Sequence, residues 1–310
     1  MTDLFTYRVE VNGIIFIVDK YGTLFKMLNK ENNDSEVHIP HILPNGKKIT
    51  CIARFAIEGE YNRIIIDDRI NKICEEAFRN SQVSEVVWPI SCKVIEKSCF
   101  EDSSISKIYN IEYVKSVGES AFASSKISSI RWPLRCNAIP NNCFHKSALK
   151  EISNIAHVVD IGSGAFANSQ IESIDYPEKC SVIPSQCFFG CSRIQSINLD
   201  HIKSIGHAAF AYSSIKGVHW PSACFIIPQS CFFNSDIESL DNVSHVTQIG
   251  SLAFGNADKL KSIDLSRVTE CAISPYAFAN MKPDKVVLPY YIMPEPVLFD
   301  GSLVLRLKNP

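Results

Sequence analysis

Phenylalanine returns at a constant interval of 22 residues through most of the chain, and this period restricts the possible folds severely. The positions are Phe78, Phe100, Phe122, Phe144, Phe166, Phe188, Phe210, Phe232 and Phe254, followed by Phe278 after one interval of 24. A short fixed period is typical of a solenoid, in which each turn buries its apolar face only by stacking on its neighbours. The sequence therefore predicts about ten stacked turns of 22 residues with the phenylalanine rings in the core.

A longer period of 44 residues distinguishes two alternating kinds of turn. One kind enters its phenylalanine through Ile-Gly, as in residues 161–166 and 205–210, and the other through Ile-Pro, as in residues 183–188 and 227–232. Alanine precedes the ring in the first kind and cysteine in the second, which indicates that a small apolar side chain is required there. Glycine and proline alternate where the chain turns. We interpret this alternation as steric.

A short β-branched segment follows each phenylalanine and ends at proline, as in residues 127–133, 171–177 and 215–221. Such segments are typical of β-strands. We expect one parallel strand in each turn, about 4.8 Å from the strand of the next turn. The fold class that these features predict is a β-rich solenoid.

Both ends of the chain depart from the repeat, as the caps of a solenoid must. Asn12-Gly13 and Asp300-Gly301 each lie between two strand-like segments, and such dipeptides are strong signals for a two-residue β-hairpin. We expect a hairpin cap at either end, because a cap protects the open edge of the sheet. The predicted domains are an N-terminal β cap over residues 1–48, a solenoid over residues 49–288 and a C-terminal hairpin cap over residues 289–310.

The chain contains 12 cysteines, and two series of them recur at intervals of 44 residues. These series are Cys92, Cys136, Cys180 and Cys224, and Cys99, Cys143, Cys187 and Cys231. Equivalent cysteines would lie two turns apart, about 9.6 Å by the strand spacing, which exceeds the Cα separation of about 7 Å that a disulfide tolerates. We therefore predict free thiols that act as small hydrophobes. Pairing within one turn, as between Cys92 and Cys99, stays open.

Two further side-chain series follow the repeat. His157, His201 and His245 would lie about 10 Å apart, which is too far for them to share one metal ion. They are either solvated turn residues or a stripe of imidazoles that gains positive charge at about pH 6.5. Tryptophan or tyrosine alternates with asparagine at Trp88, Asn110, Trp132, Asn154, Tyr176, Asn198, Trp220 and Asn242. We interpret the aromatic rings as core residues, with anchoring of a protein partner as the alternative. The asparagines are expected to satisfy backbone groups between turns.

The side chains that alternate with the apolar strand positions are expected to point outward. They mix charges and polar groups, which suits a broad surface for binding a protein but specifies no ligand. The predicted partner-binding residues are Tyr109, Arg131, Ser153, Asp175, His219 and Asp241.

The sequence pattern of the turns resembles a known repeat. It reads Ile-x-x-Ile-x-hydrophobic-Pro, then Ile-Gly-x-x-Ala-Phe and Asn-Ser or Gly-Cys-Ser, as in residues 165–169 and 187–192. This pattern is similar to the BspA-type leucine-rich repeat and covers about residues 49–290, although the period is 22 rather than the commoner 23. The resemblance implies a right-handed leucine-rich-repeat solenoid. It also implies a surface antigen or adhesin, of the kind found in mucosal bacteria and protozoa, that binds host-cell or extracellular-matrix proteins.

Composition and motifs narrow the function classes. The formal net charge is −2 and no run of Lys or Arg occurs, so we expect neither nucleic acid nor an anionic membrane as partner. No apolar run approaches the length of about 20 residues that spans a bilayer, so membrane insertion is not expected. We find no phosphate loop, metal motif or paired carboxylates, which predicts a non-enzymatic protein without cofactor or metal.

The sequence thus predicts a module for protein–protein recognition, and two settings remain open. The resemblance favours the cell surface. The charged residues Asp3, Arg8 and Glu10 lie where a secretory signal would be apolar. They favour the alternative, a cytoplasmic leucine-rich-repeat scaffold or adaptor whose thiols stay reduced.

Overall fold

The computed structural model of the chain describes residues 6–29, 36–268, 271–282, 286–287, 297–299 and 302–304. The chain divides into two compact units, an N-terminal unit, Met1–Asn154, and a C-terminal unit, Ile155–Pro310. Each unit consists of stacked β-rich turns, and the described residues contain no α-helix. The predicted β-solenoid class is therefore confirmed.

The described residues begin with an antiparallel hairpin, as Asn12-Gly13 predicts. Its strands are β1 (Thr6–Val11) and β2 (Ile14–Asp19), and Asn12 and Gly13 between them have φ values of 50° and 79°. A two-residue type I′ turn requires positive φ at both positions. The third strand, β3 (Thr23–Asn29), is antiparallel to β2 and parallel to β5 (Cys51–Ile52), so the hairpin continues into the first turn of the repeat.

The expected strands between phenylalanine and proline form what we call the first strand row. In the N-terminal unit its members are β4 (Glu36–Ile39), β6 (Glu60–Ile66), β8 (Gln82–Val87), β10 (Lys107–Tyr109), β12 (Ser129–Arg131) and β14 (Glu151–Ser153). In the C-terminal unit they are β18 (Gly217–His219), β20 (Ser239–Asp241), β22 (Ile263–Asp264) and β24 (Val286–Val287). Neighbouring strands are parallel, and most lie 22 residues apart in register, as Ile130 opposite Ile152 shows.

The structure adds a second, two-residue strand to each turn, which in most turns is separated from the core phenylalanine by four residues and lies directly before glycine or proline. This second strand row consists of β5 together with β7 (Lys72–Ile73), β9 (Val94–Ile95), β11 (Ser116–Val117) and β13 (Ala138–Ile139) in the N-terminal unit. In the C-terminal unit it consists of β15 (Asp160–Ile161), β16 (Val182–Ile183), β17 (Ser204–Ile205), β19 (Ile226–Ile227), β21 (Gln248–Ile249) and β23 (Ala272–Ile273). The described residues thus contain five such turns in one unit and six in the other, close to the predicted number.

Two smaller features remain, a short helix in the N-terminal unit and a hairpin in the C-terminal unit. A single-turn 3-10 helix, Ile111–Tyr113, follows β10. The strands β25 (Val297–Phe299) and β26 (Ser302–Val304) are antiparallel, as expected for a C-terminal hairpin, and residues 300–301 between them lie outside the described residues. The boundaries of caps and solenoid at residues 48 and 288 stay predictions.

The phenylalanine rings form the core of each unit, as predicted. All ten rings of the series are fully buried. In the C-terminal unit the ring centroids from Phe166 to Phe278 follow one another at 5.4 to 5.7 Å, with planes within 16° of parallel. The rings from Phe78 to Phe122 in the N-terminal unit are spaced at 5.0 and 5.8 Å. One ring per turn therefore packs on the ring of the next turn.

The predicted first-row strand is wrong in two neighbouring turns. Residues 171–177 form no strand, and neither do residues 193–199 in the next turn. A cleft of about 570 Å³ lies along residues 173–179 and 196–198. Asn198 is exposed there, and its Oδ1 accepts a hydrogen bond from the Asp200 amide at 3.0 Å. Its Nδ2 makes no hydrogen bond to the described residues of the preceding turn, unlike the Nδ2 atoms of Asn154 and Asn242. The absence of this hydrogen bond coincides with the break in the first strand row.

Candidate functional site

Tyr109, the first predicted partner-binding residue, belongs to a charged cluster on the N-terminal unit. Its hydroxyl donates a hydrogen bond to Glu85 at 3.1 Å, and its ring lies under the Arg63 guanidinium and the Lys107 ammonium, 4.8 and 4.5 Å from the centroid. Arg63 also pairs with Glu36 at 3.5 Å. Tyr109 is only half-buried, but most of its polar contacts are already made within the protein.

Arg131 and Ser153 lie side by side on the adjacent strands β12 and β14 of the same unit. Their backbones are register partners, and both side chains are exposed. Ile130 and Ile152, one residue earlier in each strand, are buried. The predicted alternation of inward and outward side chains is therefore confirmed here, and the structure places both predicted residues on one solvent-facing surface.

The structure also brings together two predicted residues of the C-terminal unit. His219 on β18 and Asp241 on β20 lie in register, and the His219 Nδ1 is 2.7 Å from the Asp241 Oδ1. Both side chains are exposed. The sequence predicted that each faces solvent but not that they pair with each other.

Asp175 is exposed as predicted but does not lie on a strand. It lines the cleft along residues 173–179, together with Glu178, Lys179 and His201. The backbone around it belongs to no strand, so its environment differs from that of Arg131 on β12.

Three of the four asparagines in the series satisfy backbone groups between turns, as interpreted from the sequence, and Asn198 is the exception. The Nδ2 atoms of Asn110, Asn154 and Asn242 donate to the carbonyl oxygens of Trp88, Trp132 and Trp220 at 3.1, 2.8 and 2.7 Å. Each of these asparagines has a left-handed backbone, with φ between 57° and 63°. They are structural residues and carry no candidate ligand site.

The tryptophans are core residues, as interpreted from the sequence. Trp88, Trp132 and Trp220 are fully buried, and each indole Nε1 donates to the carbonyl oxygen of the cysteine four residues later, at 2.8 to 3.0 Å. Their rings pack against phenylalanine rings of the core, as Trp220 does against Phe232 at 6.1 Å. The alternative that they anchor a protein partner is excluded by this burial.

All twelve cysteines are free thiols, and ten of them are buried. The four that directly precede a core phenylalanine are fully enclosed, and burial raises their pKa values well above the usual range: Cys99, Cys143, Cys187 and Cys231. The other series points its sulfurs at backbone carbonyl oxygens, and the Cys180 Sγ lies 3.5 Å from the Val158 oxygen. Its members are Cys92, Cys136, Cys180 and Cys224. The prediction that both series act as small hydrophobes is confirmed.

The histidine series is hydrogen-bonded rather than simply solvated. The Nε2 atoms of His201 and His245 lie 3.1 and 3.0 Å from the carbonyl oxygens of Pro177 and Pro221. Because a carbonyl oxygen only accepts, these nitrogens carry the proton. The rings are half-buried and link neighbouring turns, which assigns them a structural role.

Sequence reasoning missed a row of aromatic side chains on the C-terminal unit. Phe189, Tyr212 and Phe233 follow the core phenylalanines, with ring centroids 5.2 and 5.5 Å apart. They are half-buried or exposed. Their intervals of 23 and 21 residues hide them from a search at a fixed period of 22. A comparison of the two positions after each phenylalanine would reveal the row.

No cluster of three or more potential metal ligands occurs among the described residues. Within those same residues, no helix is long and apolar enough to cross a membrane.

Stacked turns of 22 residues with parallel strands and a buried ring in each turn define a leucine-rich-repeat solenoid protein. The chain belongs to the BspA-type leucine-rich repeat family. The family described as BspA type leucine rich repeat region (6 copies) matches residues 50–170, 115–238 and 159–284, which together include most of the chain. None of the curated proteins matches the sequence.

Several solved structures are similar to the chain. A leucine-rich repeat protein from Bacteroides ovatus is 17% identical with a TM-score of 0.49, over 94% of this chain and 91% of that chain. A leucine rich cell surface protein from Faecalibacterium prausnitzii is 21% identical with a TM-score of 0.49, over 85% and 90%. The pneumococcal vaccine antigen PcpA is 15% identical with a TM-score of 0.48, over 91% and 85%.

Proposed function

We propose that the chain is a non-enzymatic protein-recognition module, and more specifically a surface antigen or adhesin that binds host-cell or extracellular-matrix proteins. The observation that carries the proposal is the pair of strands β12 and β14, whose outward side chains are exposed while the alternate residues hold the core. Membership of the BspA-type family supports a role in binding proteins. We propose no cofactor or metal.

The proposed contact residues differ in how free their side chains are. Arg131 and Ser153 are exposed on a rigid pair of strands, and outward residues of this kind vary without disturbing the core. Tyr109 donates its hydroxyl to Glu85, and two cations lie over its ring, so a partner would meet Tyr109 as part of this charged cluster. We therefore propose Arg131 as the main charged contact of the N-terminal unit.

On the C-terminal unit we propose two contacts, Asp175 alone and His219 together with Asp241. His219 and Asp241 would bind a partner as one polar pair because their ring and carboxylate are already hydrogen-bonded. Asp175 would present a single carboxylate at the rim of its cleft. A mixed set of this kind selects partners mainly by electrostatic complementarity.

A second candidate function is a cytoplasmic scaffold or adaptor that binds protein partners through the same surface. The twelve free thiols favour it, because cysteine-rich secreted proteins usually form disulfides. Labelling intact source cells with a membrane-impermeant biotin reagent separates the two settings. Label on this protein without label on a cytosolic control would reject the scaffold, and the reverse result would reject the surface adhesin.

Binding to purified matrix proteins tests the function itself. The immobilised chain would be exposed to collagen, fibronectin and laminin, and Arg131→Glu would be compared with the wild type by biolayer interferometry. The matched control is Arg135→Glu, which makes the same charge change at an exposed turn residue outside β12. We expect Arg131→Glu to weaken binding at least about tenfold, or about 1.4 kcal/mol, and Arg135→Glu to bind as the wild type.

Thermal midpoints equal to that of the wild type would show that both variants are folded. Failure of all three matrix proteins to bind would contradict the adhesin proposal. Equal binding by Arg131→Glu and the wild type would instead contradict the assignment of the surface.

A further inference from the structure

One pair of cysteines differs from the repeated series. Cys51 and Cys74 lie in neighbouring turns of the N-terminal unit, and their Sγ atoms are 3.6 Å apart. They are also the two thiols that are only half-buried, whereas the other ten are buried. Cys51 and Cys74 are 23 residues apart and stand outside both 44-residue series.

The backbone holds the two thiols close together. Cys51 begins β5 and Cys74 follows β7, and these parallel strands pair Ile52 with Ile73. The Cys74 amide donates to the Ile52 carbonyl oxygen at 2.9 Å, and the Cys51 Sγ lies 3.8 Å from the same oxygen. Both cysteines are thus fixed around one carbonyl group of the second strand row.

The separation of the sulfurs is within reach of a covalent bond. A disulfide has an S–S distance of about 2.05 Å, so the sulfurs must approach by about 1.5 Å. Both side chains lie at a partly open surface and not in the close-packed core, so their movement by this amount displaces few neighbouring atoms. The buried series lack this freedom, since Cys187 and Cys231 are fully enclosed among the core rings.

We propose that Cys51 and Cys74 are a modification site at which a reversible intramolecular disulfide forms. With oxidised glutathione as oxidant, the thiolate of one cysteine attacks the glutathione disulfide and releases one reduced glutathione. The thiolate of the second cysteine then displaces the other glutathione as a thiolate, which takes up a proton. In total, two protein thiols and one oxidised glutathione yield one protein disulfide and two reduced glutathiones.

The position of the bond gives it a structural consequence. β5 and β7 are the last two strands of the five-stranded sheet that begins with the N-terminal hairpin, in the order β1-β2-β3-β5-β7. A disulfide between Cys51 and Cys74 would covalently join the turn that follows the hairpin to the next turn. It would stabilise this end of the N-terminal unit by restricting the unfolded chain.

The reaction is expected to be slow at neutral pH. Burial, together with the neighbouring Cys74, raises the pKa of the Cys51 thiol to about 12. The charge of Lys72 lowers that pKa, and the charge of Asp19 raises it further. Because the thiolate is the reactive form, disulfide formation should become faster as the pH rises from 7 to 9.

Peptide mapping of the intact, folded chain tests the proposal. The reduced protein would be incubated with oxidised glutathione at about pH 8.5, and free thiols would be blocked with N-ethylmaleimide before denaturation. Trypsin cleaves after Lys48, Arg54, Lys72 and Arg79, so each cysteine lies in its own short peptide. We expect residues 49–54 to be linked to residues 73–79 by a bond that dithiothreitol cleaves, and the thermal midpoint to rise on oxidation.

Two variants are matched to this test. Cys51→Ser should remove the linked peptide and the rise in midpoint, and leave Cys74 as a free thiol or a glutathione adduct. Cys92→Ser, which removes another thiol near Cys74, should leave the linked peptide in place. Two unlinked peptides in the wild type, a link from Cys74 to Cys92, or a link that forms only in urea would overturn the proposal.

Discussion

At the scale of single residues, the asparagine that follows a first-row strand links one turn to the next. Asn242 has a φ of 57° and donates through Nδ2 to the Trp220 carbonyl at 2.7 Å. Asparagine tolerates the left-handed backbone better than most residues and has an amide to donate. At Asn198, which has no such bond to the preceding turn, the strand row is interrupted. The side chain thus combines a backbone conformation with a hydrogen bond between turns.

Two substitutions at Asn242 separate these contributions. Asn242→Gly keeps the left-handed backbone but loses the amide, and should lower the free energy of unfolding by about 1 kcal/mol. Asn242→Ala loses the amide and also strains the backbone, and should lower it by about 1 kcal/mol more. Urea unfolding followed by circular dichroism measures both. An alanine variant as stable as the wild type would contradict the role assigned to this residue.

At the scale of the element, glycine is required where one turn crosses closely over another. A Cβ atom added to Gly206 would lie 2.4 Å from the Ser185 amide nitrogen and 2.8 Å from the Pro184 carbonyl carbon. Gly118 and Gly250 approach the backbone of the preceding turn equally closely. The alternation of glycine and proline turns, interpreted as steric from the sequence, therefore has a direct structural cause.

Gly206→Ala tests this packing. The added methyl group would force two turns apart, and we expect the free energy of unfolding to fall by about 1–3 kcal/mol. The matched control is Gly217→Ala on β18, where the Cβ atom would meet only the Ser239 hydroxyl at 3.2 Å. Urea midpoints would be compared for the two variants. Equal and small shifts of the urea midpoint in both variants would contradict the claim that close contact between two turns requires glycine at position 206.

The elements that sequence predicts well are those that repeat at a fixed interval. The period of 22 residues identifies Phe188 and Trp220 as core residues and Asn154 as a link between turns, because equivalent positions in stacked turns share one environment. The second strand row was not predicted, since two-residue strands are too short to show an alternating pattern. The interruption at residues 171–177 was not predicted either, because its sequence has the same pattern as residues 127–133 and 215–221, which do contain strands.

The candidate site was less predictable than the fold. The strand pattern predicts that Arg131 and Asp241 face solvent, and both do. It does not reveal which outward side chains are already paired, such as Tyr109 with Glu85. Nor does it reveal contacts that break the register, such as Cys51 with Cys74. Recognition depends on these individual contacts, whereas the fold depends on what the turns share.

At the scale of the whole molecule, the stability of each unit is expected to reside in its row of stacked phenylalanine rings. In the C-terminal unit, Phe188 is fully buried between Phe166 and Phe210, with centroid distances of 5.6 and 5.7 Å. Phe225 lies in the same unit but outside this row, and its side chain is 54% exposed. The two residues have the same chemistry in opposite environments.

The most direct test of the stacked core compares Phe188→Ala with Phe225→Ala by urea unfolding. We predict that Phe188→Ala lowers the free energy of unfolding by about 3–5 kcal/mol, because it removes a ring from the close-packed row. Phe225→Ala should change it by less than about 1 kcal/mol. Similar losses for the two variants, or a near-neutral Phe188→Ala, would contradict a solenoid held together by one buried ring in every turn.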